Sequence, residues 1–188
     1  NFMTEEVDYI EPKLPIVNGV VNPNTQVLKE VEKELVNSKR PLIIAGGGLP
    51  FENIEDVQKL ARILDAPIVH SWLRKMIPDE DPYYAGMAGI GGSPAAQHAI
   101  AEADVVLILG CRLSQQMTEH YNMKFHKEAK LLHIDIDPGV IGRLYDARIG
   151  LDGDIKSILP SLRKIIDDAN AEESESRINW RKGIQSIH

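Results

Sequence analysis

The sequence predicts an α/β fold: a three-layer, Rossmann-like, doubly wound parallel sheet of about six strands with helices on both faces. Three observations predict it. Short apolar runs without alternation, such as Leu42–Ala45 and Val105–Leu109, read as strands buried on both faces. Segments with a helical apolar stripe separate these runs, the alternation of a parallel sheet with crossover helices. The runs end in Gly or Asp, and Gly-rich turns stand before helix starts. Loops at the carboxyl ends of such strands are where this architecture binds nucleotides.

The bulk composition bounds the answer. At 188 residues the chain is one domain, or one domain with extended tails, and its net charge of −7 with no basic stripe argues against nucleic acid as the partner. No apolar run approaches the ~20 residues of a membrane span. One cysteine, Cys111, excludes an internal disulfide and a cysteine metal cage. It ends an apolar run and reads as a small buried hydrophobe rather than a catalytic thiol, since no activating base is patterned near it. The chain begins with Asn and shows no signal peptide, so it is expected to be an excised piece of a cytoplasmic protein.

Taken in order, residues 1–22 carry prolines and no period, and read as a linker or arm. Residues 23–168 form the domain. Asn24 or Thr25 caps a first helix with Val27, Leu28, Val31 and Leu35 on one face. Leu42–Ala45 is the first strand, followed by Gly46-Gly47-Gly48 and a helix from about Glu52 to Asp65. Pro67–His70 is the second strand. An irregular stretch through Pro78 and Pro82 leads to Gly89-Ile90-Gly91-Gly92. Ser93 then caps a helix with Pro94 at its first position. Asp104–Leu109 and Lys130–Ile136 are the next strands, and Arg148–Leu151 is a short edge strand. Asp154 caps a last helix, in which Pro160 is expected to force a kink or restart. Residues 169–188, polar and acidic with Trp180 near the end, read as a linker without a core toward an absent domain.

Candidate chemistry clusters in the loops. Gly46 to Gly48 could bring backbone N–H groups close to a phosphate at a helix start, although neither GxGxxG spacing nor a Walker lysine is present. A plain tight turn explains the triplet equally well. The amides of Gly89 to Gly92 converge at a capped helix, with a bare structural turn as the alternative. Arg112, just past a strand, suits a phosphate, with a surface ion pair as the alternative. Asp135 at a strand end could accept from ribose hydroxyls, with turn chemistry before Pro138 as the alternative. Helix capping alone accounts for Gly153-Asp154. The aspartates match no standard cation loop, and the six histidines form no HExxH pattern, so neither a metal site nor a catalytic residue is assigned.

The order of these motifs resembles a known family. Arg40-Pro41 with the strand and Gly triplet, Ala66–Val69, Gly86–Ala96, Glu102–Val106, His133–Pro138 with Ile141-Gly142, and Gly153-Asp154 are similar to the central domain of thiamine-diphosphate-dependent enzymes. The acetolactate synthase large subunits are the nearest branch. The resemblance implies that this piece is structural rather than catalytic. It implies a parent that decarboxylates and joins 2-oxo acids in branched-chain amino acid biosynthesis. Flanking domains would hold thiamine diphosphate and magnesium, and the parent would be a homodimer or tetramer. It implies an FAD or ADP site here, with contacts at Gly46, Gly47, Gly48, Ser71, Trp72, Leu73, Gly89, Ile90, Gly91, Gly92, Gly110, Cys111, Arg112, Asp135, Ile136, Gly153 and Asp154. Three departures bear on it. The family's Gly-x-Arg-Phe-Asp-Asp-Arg reads Gly110-Cys111-Arg112-Leu113-Ser114-Gln115-Gln116, its Gly-Met-His-Gly histidine is Gly91, and its Gly-Lys-Gly is Arg74-Lys75-Met76. The alternatives are a self-contained flavin or dinucleotide electron-transfer module and a ligand-free scaffold.

Overall fold

The computed structural model describes residues 24–72, 75–169 and 174–187. The expected N-terminal arm lies outside them. The elements run α1 (Thr25–Val36), β1 (Pro41–Ala45), a 3₁₀ turn (Phe51–Asn53), α2 (Ile54–Leu64), β2 (Ile68–His70), β3 (Tyr84–Met87), α3 (Pro94–Glu102), β4 (Val105–Leu109), β5 (Lys130–Asp135), β6 (Ile149–Asp152), α4 (Ile155–Asp168) and α5 (Glu175–Gln185). All six strands form one sheet in the order β3-β2-β1-β4-β5-β6, and every pairing is parallel. The chain thus starts at the centre, winds outward one way through β2 and β3, and returns to continue through β4, β5 and β6. The switch point falls between β1 and β4.

Both faces are buried, which is why the strands do not alternate. Ile43, Ala45, Leu107, Leu109, Leu132 and Ile134 pack beneath α1, α2 and α4. Leu42, Ile44, Val106, Ile108 and Leu131 pack beneath α3 and α5. The caps form as their sequences predict. The Asn24 side chain accepts from the N–H groups of Gln26 and Val27, Ser93 from Ala96, and Asp154 from Lys156. Each such cap is worth about 1 kcal/mol.

Three elements differ from the sequence reading. β3 lies in the stretch read as irregular; only four residues long, it carries Gly86 and follows two prolines, so no strand pattern is visible. α4 runs through Pro160 without the restart weighed for it. Its Ile155, Ile158, Leu159, Leu162 and Ile166 are all buried against the sheet, and that packing outweighs one missing backbone bond. The segment read as a linker folds as α5. The Arg177 guanidinium donates to Val36 O at 2.9 Å, the Trp180 indole N–H to Pro41 O at 2.9 Å, and Ile184 is buried. This helix has few apolar residues and is held by long polar side chains reaching backbone carbonyls, so its contacts leave little trace in hydrophobic pattern.

Candidate functional site

A cleft of 660 Å³ opens at the carboxyl ends of the strands, across the switch point. β1 contributes Gly47 and Gly48, β2 leads to Ser71 and Trp72, β4 to Gly110, Cys111 and Arg112, and β5 to Asp135 and Ile136. Loops with sequence separations of up to about ninety residues meet here only because their parent strands are neighbours in the sheet.

The floor is a backbone-on-backbone contact. Gly46 N–H donates to Leu109 O and Gly48 N–H to Gly110 O, both at 2.8 Å. A Cβ on Gly46 would lie 2.1 Å from Gly110 O, and Gly110 itself has φ +57°, a left-handed conformation that favours glycine. The glycines therefore lock β1 to β4. Two of the triplet's three amides are used in doing so, which leaves Gly47 N–H as the one without an acceptor among the described residues.

Charge stands on the walls. Asp135 is 6% exposed, and one carboxylate oxygen accepts from Asp137 N–H at 3.0 Å. The second oxygen has no partner among the described residues. Arg112 is exposed at the cleft and makes neither a hydrogen bond nor an ion pair among them, so the surface ion pair weighed for it is not formed. Trp72, 38% exposed, and Ile136, 70% exposed, add apolar surface from β2 and β5 respectively.

Two histidines sit under the walls. His133 Nε2 lies 3.0 Å from Cys111 O, and His70 Nδ1 lies 2.7 Å from Ser71 O. A carbonyl can only accept, so each of these nitrogens carries a proton. Burial holds both imidazoles below their usual value of 6.5 and keeps them neutral at physiological pH. Burial also pushes the Cys111 thiol up to about 11, so it stays protonated and unreactive.

The remaining expected positions fall elsewhere. Gly46 lies beneath the floor. Gly89 to Gly92 do not line the cleft; Ile90 N–H donates to Gln116 O at 2.9 Å, so this turn braces the wall from outside. Gly153 N–H donates to Asp135 O at 3.0 Å, and Asp154 is spent capping α4, as capping alone would have it. Leu73 lies outside the described residues. The sequence reading missed Leu113, Ser114, Gln116, Met117 and Asp137 as lining residues. Asp137 follows β5; for the other four the signal was the long stretch between β4 and β5 without regular structure, a length that in compact domains is often functional. Buried Thr118 orders it, donating to Ser114 O and accepting from Tyr121 N–H. Among the described residues no three His, Cys, Asp or Glu side chains gather as a metal site, and no helix is long and apolar enough to cross a membrane.

The strand order and the cleft at the switch point define a doubly wound, Rossmann-like α/β domain. Residues 28–162 match the family described as thiamine pyrophosphate enzyme, central domain, and the chain belongs to that family. It is 34% identical over 85% of its length to a probable acetolactate synthase large subunit of Methanocaldococcus jannaschii, covering 27% of that protein. It is 31% identical over 98% of its length to the corresponding protein of Methanococcus aeolicus, covering 33%. A sulfoacetaldehyde acetyltransferase of Castellaniella defragrans is 34% identical over 84% of the chain, which covers 28% of it. The chain thus spans a third or less of the length of these relatives.

Proposed function

We propose that this chain is the central, non-catalytic domain of an acetolactate-synthase-type enzyme and that its switch-point cleft holds an adenine nucleotide, as FAD or ADP. The observation that carries the reading is the pairing, across one cleft, of a cation, Arg112, with a carboxylate oxygen of Asp135, neither of which has a partner among the described residues. Their chemistries are those of a diphosphate and a ribose diol. Asp135 would accept from ribose hydroxyls, while Arg112 and Gly47 N–H would take phosphate oxygens. Ile136 and Trp72 offer apolar surface for rings. With the amides of Gly46 and Gly48 occupied, Arg112 rather than the triplet would carry most of the phosphate load.

In this reading FAD would serve as a structural group rather than a redox one. The thiamine diphosphate and magnesium chemistry on 2-oxo acids would belong to flanking domains of a homodimeric or tetrameric parent. The relatives' names and the small share of their length covered here support that division of labour.

Calorimetric titration of the chain with FAD, ADP and NAD, with a visible spectrum of the purified protein, tests it. Yellow protein or tight FAD binding is the outcome expected of an acetolactate synthase. ADP binding without FAD would narrow the site to the nucleotide moiety. A bound flavin that a physiological donor reduces would favour an electron-transfer role instead, and no binding would leave a scaffold.

A further inference from the structure

We propose that His133 is a positioning residue for Arg112, fixing one peptide plane so that Arg112 offers its backbone N–H and its guanidinium together to an anionic group in the cleft. The proposal rests on the reading of that cleft as a nucleotide site, and it concerns how the phosphate end is gripped.

The argument runs through the peptide between Cys111 and Arg112. His133 is 2% exposed, and its Nε2–H donates to the Cys111 carbonyl at 3.0 Å. That carbonyl and the Arg112 N–H belong to one planar amide. The described chain contains no cis peptide bond, so the two groups point in opposite directions. Holding the carbonyl inward on a buried imidazole therefore turns the Arg112 N–H away from the core. Among the described residues that N–H meets no acceptor, and the guanidinium on the same residue meets no acid. Gly110 on one side and Leu113 on the other have φ +57° and +49°, and residues 111–114 form no regular element. No ladder or helix bond therefore fixes which way the carbonyl faces. The imidazole does: it is anchored on β5, in register with β4 through the pair Ile108 and His133. One residue offering a neutral N–H and a charged fork to the same oxygen-rich group matches phosphoryl recognition.

His133 is therefore assigned neither a proton-transfer nor a metal role. It acts on the ligand only through Arg112. A purely structural histidine would stabilise the fold without favouring phosphate over the rest of the ligand, and this difference can be measured.

The test titrates the 188-residue chain and its His133→Leu and His133→Gln variants with ADP and with adenosine. The wild type is expected to bind ADP more tightly than adenosine. His133→Leu should lose about tenfold or more of that preference while adenosine affinity holds, and His133→Gln, which keeps a donor, should recover most of it. An unchanged ADP-to-adenosine ratio in His133→Leu, or an equal fall for both ligands, overturns the positioning role and leaves the nucleotide site standing. If the wild type binds neither ADP nor FAD, the nucleotide reading fails, and inorganic pyrophosphate decides the grip. The Arg112 amide resonance of the wild type should then shift as pyrophosphate is added, and an unmoved resonance sinks the proposal. The same resonance decides if His133→Leu does not fold.

Discussion

At the amino edge of the sheet most polar groups find partners within the chain, the buried Arg40 Nε being an exception among the described residues, while at the carboxyl edge several are left open. Before β4, Asp104 accepts from the Ser38 hydroxyl and from the N–H groups of Lys39 and Arg40. α5 closes the same edge, with Arg177 on Val36 O, Trp180 on Pro41 O and Arg181 on Asp65. At the carboxyl edge Arg112, one oxygen of Asp135 and the N–H of Gly47 have no partner among the described residues, and apolar Trp72 and Ile136 are exposed. Asp135 is buried, whereas Arg112 and Gly47 stand at the surface of the cleft, open to a ligand. The difference teaches that one edge is built for stability and the other for an occupant, though both rest on the same strands.

The largest effect should come where the open edge is itself structural. Gly46→Ala would drive a Cβ into Gly110 O and part β1 from β4, and about 3 kcal/mol or more of stability should be lost in urea denaturation. Gly47→Ala, one residue on, meets nothing within 4 Å and should stay within about 0.5 kcal/mol of wild type. Similar losses for the two would break the distinction between floor and lining.

Next in size is Asp104→Ala at the closed edge. Removing three accepted bonds should cost about 2 kcal/mol while ligand affinity is unchanged. A fall in affinity of equal size would mean the edges are coupled. Arg112→Ala should do the reverse, lowering ADP affinity about tenfold or more with stability within about 0.5 kcal/mol. Trp180→Phe, which keeps the ring and loses the indole donor to Pro41 O, should cost about 1 kcal/mol.

Acid sharpens the contrast from the carboxyl side. His70 and His133 are held below 6.5 in the fold, so the unfolded chain binds more protons as pH falls through that value. The stability they contribute is full above about pH 6.5 and declines as pH drops toward their folded values. The denaturation midpoint should fall between pH 7.5 and 5.5, and His133→Gln should flatten part of the slope.

Much of this architecture is legible in the chain. The uninterrupted apolar runs mark strands buried on two faces, and Asn24, Ser93 and Asp154 announce their helices because capping is chemistry between near neighbours. β3 and α5 were not legible. A four-residue strand holding a glycine, and a helix fastened by Arg177 and Trp180 to distant carbonyls, owe their existence to partners far along the sequence. The candidate site was legible one residue at a time, as Arg112 after one strand and Asp135 after another. The bracing role of Gly89 to Gly92 and the lining role of Leu113 to Met117 were not, since both depend on which loop the strand order sets beside which.

By itself, then, the sequence determined the fold class, the caps and the places where glycine had to stand, because side-chain period and local hydrogen bonding act over a few residues. The tertiary structure alone decided that Gly46 and Gly48 spend their amides on β4, that Arg112 meets no acid among the described residues, and that His133 reaches the Cys111 carbonyl. Those facts depend on strand order and register, which bring together groups that no local pattern relates.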